Sequence, residues 1–160
     1  MKYVSYRIRK LHQEEIKILD DFLYEAIFIP EGTKAPPKKI IKEPELQVYV
    51  ADFGKKKDDS CYVAETSGKI AGVVWCRIMD DYGHVDNDTP SLAISLLEEF
   101  RHCGIGTALM QHMLTALKQQ GYPQVSLSVQ KANYAARMYK KLGFETVEDK
   151  EEEYIMVRRL

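Results

Sequence analysis

Gly104 and Gly106 stand two residues apart in the stretch Arg101-His102-Cys103-Gly104-Ile105-Gly106-Thr107, between an apolar run, Leu92 to Leu97, and a long amphipathic stretch. Residues of that type and spacing suit anion binding. Glycine removes the side chains that hold a phosphate away from the backbone, and the first turn of a following helix adds free N–H groups and a partial positive charge. The chemistry expected is the grip of a phosphorylated cofactor. A dinucleotide fingerprint would need a third glycine at position 109, where Leu109 stands, and a P-loop would need a lysine that is missing ahead of Thr107. Both of those loops fit poorly.

The elements that must position this loop follow from periodicity. Tyr3 to Arg9 alternates as a first strand, and Ile16, Leu19, Leu23 and Ile27 recur at helical spacing, which predicts a helix from about Gln13 to Phe28. Three of the six prolines fall between Pro30 and Lys39 and predict a loop. Leu46 to Phe53 fits a strand or a short helix, and helix is favoured. Cys61 to Glu65 and Ile70 to Ile78 flank Ser67-Gly68 as a hairpin, followed by a polar loop from Met79 to Pro90 and a strand from Ser91 to Leu97. Beyond the glycine loop, Ile105, Leu109, Met113 and Leu117 make the apolar stripe of a helix that runs to about Gln119 and stops at Gly121 and Pro123. Val125 to Val129 reads as a strand and Asn133 to Leu142 as a helix ended by Gly143. Phe144 to Val147 and Tyr154 to Arg158 read as two more strands around an acidic turn, Glu148 to Glu153.

With 160 residues and no linker, the expectation is a single domain over 1–160. Lys and Arg total 23 against 24 Asp and Glu, a net charge of -1 that supplies no general attraction to nucleic acid or an anionic membrane. The N-terminus lacks the apolar core of a signal peptide, and no apolar run nears the roughly 18 residues of a membrane span. The three cysteines show neither metal-ligand spacing nor a disulfide framework, so the expectation is a cytoplasmic protein without a metal.

Taken together, Arg101-x-x-Gly104-x-Gly106, then helix, strand and Asn133-x-x-Ala136-x-x-x-x-x-Leu142-Gly143-Phe144 with Tyr139 on the last helix, resemble the GCN5-related N-acetyltransferase (GNAT) family. The resemblance implies an α/β (α+β) acyl-CoA N-acyltransferase fold. Its central sheet is mixed but mostly antiparallel, with six to seven strands flanked by helices and a splay between the fourth and fifth. It implies acetyl-CoA as donor, with the pyrophosphate held by Arg101, His102, Cys103, Gly104, Ile105, Gly106 and Thr107, mostly through backbone N–H groups. Backbone at Ile94, Ser95 and Leu96 would pair with the pantetheine arm, an N–H near Leu96 polarising the thioester carbonyl. Asn133 would contact the cofactor or cap the last helix, and Tyr139 would protonate the departing thiolate or pack in the core. His102 and Cys103 read as exposed loop side chains, with Cys103 as an acyl carrier the alternative.

The general base is the gap. An ordinary amine with a pKa of about 10.4 is protonated at neutral pH, so an acceptor must lose a proton before it attacks. Many family members use a glutamate on the fourth strand, whereas Ser91 to Leu97 holds no carboxylate. His84, in the loop Asp80 to Asp88, is the candidate base. Glu25, Phe28, Trp75, Tyr82 and Asp86 are candidate substrate residues, with core packing the other reading for Trp75. The expected reaction is direct acetyl transfer to an amine, with a small molecule ranked ahead of a peptide or protein amine. The expected assembly is a homodimer. A non-catalytic acyl-CoA-binding or sensing module is the opposing hypothesis.

Overall fold

The computed structural model describes residues 4–160. Strands β1 (Arg7–Lys10), β2 (Ser60–Thr66), β3 (Lys69–Arg77), β4 (Ser91–Leu96), β5 (Gln124–Gln130), β6 (Glu145–Asp149) and β7 (Glu153–Arg159) form one sheet in the order β1-β2-β3-β4-β5-β7-β6. All neighbours are antiparallel except β4 and β5, which run parallel and share a single pair, Ser91 with Ser126. Helices α1 (Ile18–Ala26), α2 (Pro44–Gln47), α3 (Ile105–Gln119) and α4 (Ala135–Lys141) complete the fold. None of the described helices is long and apolar enough to cross a membrane.

The period of two along β3 sends successive side chains to opposite faces and so divides the core. Val74 and Cys76 pack with Ile105, Leu109, Met113 and Leu117, the stripe read from the sequence as the buried side of α3. Val73 and Trp75 pack with Leu19, Phe22 and Leu23 of α1. The β2–β3 turn has positive φ at both Ser67 and Gly68, the geometry that joins two twisted strands with a two-residue loop.

Three expectations change. Among the described residues the first strand begins at Arg7, because β2 runs into its own turn just beyond the Arg7–Glu65 pair; Tyr3, where the expected strand starts, lies outside the described residues. The predicted Gln13–Phe28 helix is divided into a single 3-10 turn, Gln13–Glu15, and α1. The Glu15 carboxylate is held by the Arg9 guanidinium at 2.8 and 2.9 Å and by the His12 N–H, which fixes that turn apart from α1. The segment 46–53 is helical only to Gln47 and then turns. Trp75 Nε1 takes the Tyr49 carbonyl, and Arg77 takes those of Val48 and Ala51, so side chains of β3 intercept the backbone acceptors that a longer helix would use.

Candidate functional site

Where β4 and β5 part, the sheet opens into a groove of about 2090 Å³, walled by the end of α1 and the loop after it, β4, the glycine loop, β5, α4 and the β6–β7 turn. Leu97 N–H donates to the Ala71 carbonyl, so by antiparallel alternation the N–H and C=O of Leu96 and Ile94 point away from β3, towards the splay. Arg101 Nε binds the Leu96 carbonyl at 3.1 Å, which leaves the Leu96 N–H facing the groove. Ser95 has the opposite phase. Its backbone serves β3, which corrects the expectation that it offers backbone to a ligand, although the residue borders the groove. Ser95 Oγ is the buried side-chain polar atom with no hydrogen-bond partner among the described residues. Such an atom costs about 1 to 3 kcal/mol unless a ligand or water satisfies it.

The glycine loop enters α3 through two left-handed residues, His102 at φ 60° and Gly104 at φ 85°. No side chain caps the helix, so its first N–H groups remain available to an anion. The two glycines act differently. Gly104 supplies the conformation, and a Cβ there would meet open space; a Cβ on Gly106 would lie 3.2 Å from Leu96 Cδ1 and 3.7 Å from Met138 Sδ, so Gly106 lets α3 close on β4 and α4. We expect Gly104→Val, whose β-branched side chain resists positive φ, to weaken coenzyme A binding about tenfold while the far-ultraviolet spectrum is retained. Calorimetry with coenzyme A measures this, and unchanged affinity would remove the loop from cofactor binding.

Around this loop, Arg101, His102 and Thr107 line the groove, and Arg101 also reaches the Glu25 carboxylate at 3.4 Å. Cys103 and Ile105 face the core, which corrects the reading of Cys103 as exposed and leaves its thiol no route to an acyl-carrier role. What these two residues offer a ligand is backbone alone. Asn133 lines the groove and caps α4, its Oδ1 accepting the Ala135 N–H at 2.9 Å. The Tyr139 ring lies 5.9 Å from that of Phe144 while its side chain also lines the groove, so core packing and access coexist. Burial pushes its hydroxyl up to about 12, keeping it a proton donor at neutral pH.

Of the candidate substrate residues, Glu25, Phe28 and Tyr82 line the groove. Three other candidates do not. Trp75 is fully buried under α1, on the core face of a central strand, with Nε1 committed to the Tyr49 carbonyl. His84 lines a separate small cavity of about 430 Å³ beside Met79 and Asn87, and Nδ1 contacts the Met79 carbonyl at 2.8 Å. Asp86 is exposed and folds its carboxylate onto the Asp88 N–H and Thr89, hydrogen bonds that hold it below the usual carboxylate range. In each case local bonding turns the side chain from the groove.

Residues not singled out from the sequence enter instead. Tyr49, Ser128, Arg137 and the turn residues Lys150 to Glu153 all contribute to the groove. Behind Tyr49 lies the Asp81 carboxylate, hydrogen-bonded by Ser91 Oγ at 2.7 Å. Burial raises the Asp81 pKa, and among the described residues no cation pairs with it. The only advance signal was the acidic loop from Asp80 to Asp88.

Against known proteins, residues 24–144 match the model of the acetyltransferase (GNAT) family. An N-alpha-acetyltransferase of Sulfurisphaera tokodaii is 33% identical over 128 residues, covering 70% of this chain and 76% of that protein. The structure of a PaiA N-acetyltransferase from Thermoplasma acidophilum in complex with coenzyme A superposes with a TM-score of 0.72 at 19% identity, over 98% of this chain and 100% of that one. A ribosomal-protein-S18-alanine N-acetyltransferase from Escherichia coli superposes with a TM-score of 0.68 at 18% identity, over 97% and 94%.

Proposed function

We propose, from the premise that this chain belongs to the acetyltransferase (GNAT) family, that it acetylates the α-amino group of a peptide or protein chain. The chain is an acetyl-CoA-dependent N-acetyltransferase; the acceptor and the roles of individual residues are the proposal. One observation carries the acceptor. The groove does not close beyond the stretch that Ile94, Leu96 and Tyr139 border but continues to the β6–β7 turn and to the loop after α1. Its volume, about 2090 Å³, spans both the coenzyme A half and this extension. Glu31, Glu151, Glu152 and Glu153 line that extension and suit a cationic amine carried on an extended chain. The name of the Sulfurisphaera relative supports the same acceptor, ahead of the small amine ranked first from the sequence.

Bound acetyl-CoA supplies the activated acetyl thioester. The uncapped first turn of α3 and the N–H groups of the glycine loop hold its pyrophosphate, with Arg101 and Asn133 beside them. The free Leu96 N–H faces the splay, where it polarises an acyl oxygen. Tyr139 keeps a proton at Oη for the departing sulfur.

The test is a panel read as acetyl-CoA-dependent thiol release: peptides with a free α-amine, the same peptides N-terminally blocked but carrying lysine, polyamines and amino acids. Free-α-amine peptides should exceed every other class at least tenfold in kcat/KM. A preference for polyamines or for blocked lysine peptides would sink the α-amine assignment and leave the acetyltransferase assignment intact.

A further inference from the structure

The β3–β4 loop, residues 78–90, is pressed onto β5 where the sheet begins to open. A Cβ on Gly83 would lie 2.9 Å from both Leu127 C and Ser128 N, so only glycine lets the loop approach this closely. Ser126 Oγ donates to the Gly83 carbonyl at 2.7 Å and locks the contact. The loop therefore carries Asp81 to the floor of the splay, where Ser91 Oγ donates to one carboxylate oxygen at 2.7 Å and the Gly83 N–H adds a further bond. From the other side comes Tyr49, whose backbone is tied to Trp75 Nε1 at 3.0 Å. Its hydroxyl stands beside the Asp81 carboxylate, which raises its pKa, and beside Ser128 and the Tyr82 N–H, which lower it. Ser128 and Tyr49 both line the groove.

We propose that Ser128, Tyr49 and Asp81 form a relay that takes the proton from the acceptor ammonium, in place of the carboxylate missing from β4. Ser128 is the catalytic member, meeting the acceptor nitrogen at the groove wall, and Asp81 is the terminal acceptor acting through Tyr49. As the nitrogen gives its proton to Ser128 Oγ, the Ser128 hydroxyl proton moves to Tyr49 Oη and the Tyr49 proton to the Asp81 carboxylate. Both hydroxyls end neutral, Asp81 ends as the acid, and the nitrogen lone pair is free for the acetyl carbon. A carboxylate without a cation and with little water around it is a better proton acceptor than a solvated one, so this burial favours the transfer. Ser91 and the Gly83 N–H keep the carboxylate from turning away from Tyr49.

The relay rests on the acetyltransferase activity, not on which amine is acetylated. Asp81→Asn and Tyr49→Phe should each lower kcat/KM at least tenfold on a peptide with an ordinary α-amine, and the double variant should fall no further, because the three groups act as one chain. The same peptide beginning with trifluoroalanine has an α-amine that is already neutral at the assay pH. On it the losses should shrink below threefold. A structural role would cost both acceptors equally, and that result, or undiminished activity on the ordinary peptide, would overturn the relay. Coenzyme A affinity by calorimetry checks that each variant is folded; if Asp81→Asn is not, Tyr49→Phe decides alone, since it keeps the ring. The wild-type rate across the acceptor panel tests the peptide assignment separately, and the variant ratio is read on whichever amine class that panel returns.

Discussion

Tyr139→Phe should lower kcat about a hundredfold while changing the KM for acetyl-CoA by less than about threefold. The substitution removes one oxygen and keeps the ring that packs 5.9 Å from Phe144, so the hydrophobic contact survives and only the donor is lost. Loss of a positioned acid typically costs about 10² to 10⁴ in rate, and the lower end applies where the leaving group, a thiol with a reference pKa of about 8.5, is stable without full protonation. The hydroxyl is pushed up to about 12 by burial alone, with no charged neighbour contributing. A raised acid is protonated below its folded pKa and fails only as pH rises through it, so the Tyr139 contribution to kcat should persist across the neutral and moderately alkaline range. A basic limb well below pH 12 in the wild type must therefore survive in Tyr139→Phe. If instead the variant keeps full kcat, Tyr139 is a core residue and another group protonates the sulfur; if it loses the basic limb, Tyr139 itself titrates there and burial does not hold its hydroxyl up.

The part of the groove around the glycine loop was legible in the sequence because its residues are local. Gly104-x-Gly106 ahead of an amphipathic helix, with Asn133, Tyr139 and the Gly143 stop at their spacings, occupies about forty consecutive residues, and the structure brings Arg101, Gly104, Gly106, Asn133 and Tyr139 to one groove. The opposite part, around Tyr49, is assembled from distant segments and was not. Tyr49 owes its place to Trp75 and Arg77, which take backbone carbonyls on either side of it, so no window around residue 49 could reveal why its helix stops. Trp75 was ambiguous because alternation along β3 separates two faces without saying that both are covered, one by α1 and one by α3. His84 and Asp86 sit in the loop that does reach the site, but Asp81 is the member turned inward, a choice made by the fit of Gly83 against β5. Ser95 depended on strand phase: the residue types of β4 suggested backbone chemistry throughout, whereas pairing with β3 reserves the outward backbone for Ile94 and Leu96.

Arg77→Met should destabilise the fold by about 3 to 5 kcal/mol, the range for removing one partner of a buried ion pair. At this chain length that corresponds to a fall in Tm of roughly 6 to 20 °C. Arg77 is 3% exposed and lies at the end of β3, where Nε and a terminal nitrogen bind the two Asp59 oxygens at 3.0 and 3.1 Å. Its other terminal nitrogen binds the carbonyls of Val48 and Ala51, and the guanidinium stands 5.3 Å from the centre of the Phe53 ring. Asp59 in turn accepts the N–H groups of Gly54 and Lys56, so one ion pair ties residues 48–59 to the sheet. Methionine restores much of the volume but leaves a carboxylate with no accessible surface facing no cation. The double variant Arg77→Met with Asp59→Leu should recover more than half of the lost stability, since the cost lies in the orphaned charge and not in the missing attraction. Its catalysis should not recover in step, because the carbonyls that flank Tyr49 still lose their donors. Urea unfolding and kcat/KM measured on the three proteins at one temperature separate these effects. A single variant within 1 kcal/mol of wild type, or a double variant no more stable than the single, would show that the segment bearing Tyr49 is held by its apolar contacts instead.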